Sequence, residues 1–193
     1  FAASTVGGNL AATATTGNIA DSGALTITGT TTLTTSANNA TIALDTTTNA
    51  FTGAVALNST GSTGDATIDN GTTALILATS SVGGDLRLTS GNTSGITDSG
   101  TITVGGNLAA TTDSNNGLIN MDTLTVDGTV ALTTNGSGNA TIDNGTTALN
   151  IAASSVGGNL TLTSGNASGI TDSGTVTVGG NLAATTDANN GVI

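Results

Sequence analysis

A long stretch of this chain is written twice. Residues 64–119 recur at 138–193, Gly64 answering to Gly138 and Ile119 to Ile193, with ten differences and no insertion or deletion; over the 38 positions of 82–119 only six differ. Self-similarity at a fixed spacing marks a repeat architecture, in which each unit buries its apolar face against the next copy rather than inside a globule. The chain therefore reads as one segment, 1–193, of a repeat array with a superperiod of about 74 residues. Residues 1–6 (FAASTV) match 151–156 (IAASSV) in mid-repeat, and Ile193 matches Ile119. Both ends are thus expected to be cut inside a repeat, with caps and any secretion signal elsewhere.

Inside the superperiod a glycine precedes an alternating apolar run at Gly8, Gly29, Gly53, Gly84, Gly106, Gly128, Gly158 and Gly180, and the steps Gly53 to Gly84 and Gly128 to Gly158 are the long ones. Taking each interval as one coil gives an all-β chain, a parallel β-solenoid of about eight coils, each of roughly 21–31 residues, with three short strands per coil and two short coils to each long one. The first strand is GNLAAT or GNLTLT. Period-two alternation turns Leu86, Leu88, Leu160 and Leu162 inward and Arg87 and Thr161 outward. The second strand centres on a single isoleucine (Ile19, Ile42, Ile68, Ile96, Ile119, Ile142, Ile170 and Ile193), and Ile96, Ile119 and Ile142 are expected to lie in one line. The third reads ALTIT, TITV, TLTV or TVTV, and becomes TALILATSSV or TALNIAASSV in the long coils. There Ile76 is replaced by Asn150, a change tolerable only at an outward position. The corners are NN, GN, DSG, DNG and GG, which supply positive φ, and the chain has no proline to interrupt a ladder. Antiparallel hairpins closed by DNG or NNG are the alternative, but they give no reason for a fixed spacing.

The 44 Thr, 29 Gly, 21 Asn and 17 Ser leave no room for an aromatic core, yet the β-branched residues are placed as strands place them, which argues against disorder. All twelve acids are aspartates and Arg87 is the one base, giving a net charge of -11. Phosphate contacts need Lys and Arg and base stacking needs aromatics, so nucleic acid is not an expected partner. Anionic membrane surfaces are excluded on the same ground, and no apolar run is long enough to insert into a bilayer. With neither Cys nor His there is no thiol, imidazole or haem-ligand chemistry.

One acidic residue follows the second strand in seven coils: Asp21, Asp45, Asp69, Asp98, Asp122, Asp143 and Asp172. Stacked coils would bring these carboxylates into a column with neighbours about 5 Å apart, where a hard cation such as Ca²⁺ would relieve their repulsion. The competing reading is an Asx turn fanned into solvent, and the GGxGxDx nonapeptide of calcium-binding β-rolls is absent. Sequons at Asn39, Asn58, Asn70, Asn92, Asn135, Asn139, Asn144 and Asn166 number about what the Ser and Thr content produces by chance. TxT pairs at Thr26 and Thr28, Thr101 and Thr103, and Thr175 and Thr177 are similar to the flat faces of ice-binding solenoids. Two aspartates could serve as acid and base on a β-helix, but the long loops, aromatics and basic residues that hold a sugar are missing, so no catalytic residue is expected.

The strings LNIAASSVGGNLTLTSGNASGITDSGTVTVGGNL and TVDGTVALTTNGSGNATIDNGTTALNI resemble the arrays of very large secreted bacterial surface proteins, the filamentous-haemagglutinin-like and related β-strand-repeat exoproteins. The resemblance spans the whole chain and lies in repeat style and composition; the secretion domain of that class is not present here. It implies a right-handed parallel β-helix, export across the envelope, and a role in adhesion or an extracellular fibre. The expected function is therefore a non-catalytic structural shaft of an extracellular filament or adhesin, partnered by further copies in a fibre or by more of the same long chain. The alternative is a solenoid module whose outer face binds ice or glycans.

Overall fold

The structure is a computed structural model; it describes residues 1–187 and 190–193, and of these the side chains at 114 and 115 lie outside the description. The described residues form twenty-five strands of two to eight residues and no helix. Every strand pairing is parallel, and partners lie about one coil apart in sequence, as in Ser4↔Leu25, Ile42↔Ala66, Leu86↔Leu108 and Leu160↔Leu182. The chain is a β-solenoid of about eight turns.

Alternation decides what faces the core. In Leu86–Ser90 the two leucines are buried and Arg87 is exposed; in Leu75–Leu77 and Leu149–Ile151 the flanking residues are buried, while Ile76 and Asn150 stand half-exposed on the outer side. The buried residues form one continuous column of Leu, Ile, Val and Ala with Phe51 and Met121 among them. Inward hydroxyls close the corners: Thr35 donates to Ala40 O, Thr112 to Gly117 O and Thr134 to Gly138 O, each while buried. On the outer corners, side-chain oxygens tie coil to coil. Asp65 Oδ1 accepts from Asp85 N–H (2.8 Å), Asp85 Oδ1 from Asn107 N–H (2.7 Å), and Asn107 Oδ1 from Thr129 N–H (2.9 Å).

Coil length is more even than glycine spacing implied. The glycines stack as expected at the short intervals, Gly29 N–H donating to Gly8 O, Gly106 to Gly84 and Gly128 to Gly106. At the long intervals they do not. Gly84 donates to Gly64 rather than stacking on Gly53, and Gly158 donates to Gly138 rather than stacking on Gly128. Each long interval is one coil plus one face, so the two-short, one-long scheme is replaced by coils of nearly equal length, the shorter ones seen in Ala66↔Leu86 and the longer ones in Ile42↔Ala66.

The extra face arises because faces are exchanged. In the first coils three faces correspond to three sheets, carried by Ser4–Val6, Leu10–Ala14 and Ile19–Ala20 and their stacked successors. The first face ends at Ala50–Phe51. One coil later the second face divides: Val55–Asn58 receives both Leu75–Leu77 (Leu77↔Val55) and Ser80–Val82 (Ser81↔Asn58), which then continue as separate columns. The event recurs higher up, where Leu124–Val126 ends its column and Thr129–Asn135 receives both Leu149–Ile151 and Ser154–Val156. One corner disappears as another opens, so three faces are kept throughout.

The isoleucine line is broken, at the exchange and by a register slip within one column. Ile96 stacks on Ile119, but Ile119 then meets Ala140, and Ile142 lies over Met121 two residues along. Ile68 belongs to the ten-stranded sheet, over Leu44 and under Leu88, not beneath Ile96. The three residues Ile96, Ile119 and Ile142 share one strand column without sharing one rung.

Candidate functional site

The seven aspartates do not make one column. Asp21 and Asp45 precede Asp69 on the ten-stranded sheet, where Asp69 then meets Thr89. Asp98 begins a second group on the twelve-stranded sheet, where its carboxylate accepts from Asp122 N–H and from both the amide and the hydroxyl of Thr123. Asp143 ends that group against Thr163, and Asp172 pairs with Ile151 back on the ten-stranded sheet. Each face exchange moves the aspartate corner to a new place, which is why the expected run of seven breaks.

Within the first group, burial raises the Asp69 carboxyl above the ordinary aspartate value. Its hydrogen bond from Gly71 N–H pulls the other way, while the charges of Asp113, Asp45 and Asp21 add to the rise. Asp69 Oδ1 accepts from Gly71 N–H and Asp143 Oδ1 from Gly145 N–H, both at 2.9 Å, so these two form the Asx turns that compete with a cation site. Asp21 Oδ2 accepts from Asn49 Nδ2 at 2.6 Å. Among the described residues no group of three or more acidic side chains converges on a point that could hold a metal ion. The seven candidates for Ca²⁺ therefore sit as separate pairs and turn caps.

The TxT pairs are also dispersed. Thr26 lies on the three-stranded sheet, Thr103 on the twelve-stranded and Thr177 on the ten-stranded. The structure instead lines up hydroxyls from unrelated contexts, Thr89, Thr111, Thr133, Ser155 and Thr177, along one face. That row is one side chain wide, because the residues two positions earlier are Arg87, Ala109 and Ala131. Two concavities, one bordered by Ala12, Asn18 and Ile19 and the other by Leu162, Val176 and Ile193, are the open faces of the first and last coils.

Sequence reasoning passed over the residues with the most specific geometry. Asn70 and Asn144, which scored only as sequons, are fully buried. Asn70 Oδ1 accepts from Phe51 N–H (2.7 Å), while its Nδ2 donates to Phe51 O (3.1 Å) and Ala74 O (2.8 Å). Asn144 does the same with Val126 N–H (2.8 Å), Val126 O (3.1 Å) and Ala148 O (2.9 Å). A side-chain amide here stands in for the missing strand above a face that ends, satisfying buried backbone groups that would otherwise be orphaned. Where the neighbouring face divides, Ser80 Oγ accepts from Leu57 N–H (3.0 Å) and donates to Ala78 O (2.7 Å), and Ser154 repeats this with Leu132 and Ala152. The signal was present as ATIDNGTTAL, found at 66–75 and 140–149.

Comparison with known proteins finds one family, whose model matches residues 1–58, 63–123 and 137–193. No curated protein and no solved structure matches the chain. Three copies of the family's unit cover most of the sequence, and the chain belongs to the family described as repeats of unknown function (DUF5649).

Proposed function

We propose that the chain is a structural shaft segment of a bacterial extracellular filament or adhesin, exported to the cell surface and without an active site. The observation that supports this reading is the run of parallel ladders, which passes through both face exchanges along the column Ile42, Ala66, Leu86, Leu108, Val130 and Ile151. Hydrogen bonds directed along the axis and a continuous apolar column resist bending, and the single-sign charge of -11 discourages sideways clumping. The resemblance of the repeat strings to filamentous-haemagglutinin-like exoproteins points the same way. Further units of the same chain, or further copies in a fibre, are the partners this reading implies.

The test is a length series. Deleting whole repeat units from the full-length gene and imaging the cell surface by electron microscopy should shorten a surface fibre by about 16 Å per unit, given about 4.8 Å per coil. A fibre of unchanged length, or no surface exposure of this segment to protease on intact cells, overturns the reading.

A further inference from the structure

We infer that the stretch 66–80 and its copy 140–154 act as a turning element that advances the array by one face, making the repeated unit a screw unit. From Leu86 three coils lead through Leu108 and Val130 to Ile151, whereas the sequence counterpart of Leu86 is Leu160, further along the chain and so on the next face. Leu86 belongs to the ten-stranded sheet and Leu160 to the twelve-stranded one. Nearly identical sequence is thus displayed in a different direction by each unit.

The turning element has two halves, spaced alike in both copies. Asn70 or Asn144 terminates a face by pairing with both backbone groups of the residue below, Phe51 or Val126. Gly71 or Gly145 follows at positive φ, 51° and 54°, which lets the chain leave that face within a few residues. Ser80 or Ser154 then bends the strand that lands on the next face, its hydroxyl supplying the acceptor that the bent backbone withdraws from Leu57 or Leu132. Both halves are needed: one removes a corner and the other creates one.

The outer surface that results is threefold. Outward positions of one unit reappear a third of a turn away in the next and return to the same face after three units, about ten coils or about 48 Å along the axis. This inference holds whether or not the shaft reading does.

The experiment is disulfide mapping in the chain as it stands, which has no native cysteine. Asn58→Cys with Ser81→Cys places two thiols on neighbouring coils and should cross-link on oxidation. Asn58→Cys with Thr89→Cys is the pair that would be adjacent if Gly84 stacked on Gly53, and should not; the reverse outcome overturns the screw. Adding Asn70→Leu to the first pair should abolish its cross-link. Arg87→Cys with Ala109→Cys, on a column beyond the exchange, should still link in the presence of Asn70→Leu, which separates a lost turn from a lost fold. An Asn58–Ser81 link that survives Asn70→Leu shows that the asparagine does not set the turn and overturns that assignment.

Discussion

Residues 64–119 and 138–193 are nearly the same words in two different places. Leu86 packs between Ala66 and Leu108 on one sheet, and Leu160 packs between Ala140 and Leu182 on another, yet both present a leucine pair inward and one side chain outward. Local environment is conserved between the copies while orientation about the axis is not. The repeat in sequence therefore measures the turning element, and the repeat in space measures the coil; the two lengths differ and each has its own physical cause.

Four substitutions test how far the copies are alike. The largest effect is expected in the core: Leu88→Ala should cost about 4 kcal/mol in urea unfolding and its counterpart Leu162→Ala less, because Leu88 is fully buried whereas Leu162 lies near the open last coils. Equal losses would show that the end coils are packed as tightly as the middle. Asn70→Ala and Asn144→Ala should each cost about 3 kcal/mol, since each leaves two or three buried backbone groups unpaired. A loss under about 1 kcal/mol at either site would mean that water or a backbone shift replaces the amide.

A smaller effect is expected from acidity at Asp69. The folded chain holds a proton on Asp69 more tightly than the unfolded chain, so this group stabilises the fold fully below the unfolded value of 3.8 and ceases to do so as pH rises through the raised value. Asp69→Asn keeps the acceptor for Gly71 N–H and removes the titration, so the gain in melting temperature on acidification from about pH 7 to about pH 3.5 should shrink in the variant. The smallest effect is Arg87→Thr, which converts one copy to the wording of the other at an exposed position and should change stability by less than about 0.5 kcal/mol.

Much of this fold was legible in the chain. The inward leucines of LRL and LTL, the outward position shared by Ile76 and Asn150, the parallel stacking and the Asx turns at Asp69 and Asp143 all follow from alternation and turn chemistry. The face exchange was hidden because the step from Gly53 to Gly84 fits one long coil as well as one coil plus a face. Spacing alone carries no information about which column a glycine joins. What distinguishes the two is where the amide of Asn70 goes, and a buried asparagine in a DNG triplet looks on paper like any other corner. The aspartate column failed for that reason, breaking at each exchange; the isoleucine line breaks there too, and it also slips by two residues within one column, Ile142 lying over Met121 rather than Ile119.

The outer-corner ladder runs one way. Asp65, Asp85 and Asn107 each offer an oxygen to the amide of the coil that follows, so a finished coil waits with vacant acceptors for the next one to arrive. A polypeptide emerging amino end first could be laid down on such a template turn by turn, with every new contact spanning a single coil however long the array has grown. Closure entropy then stays constant per turn, and construction time rises only in proportion to length.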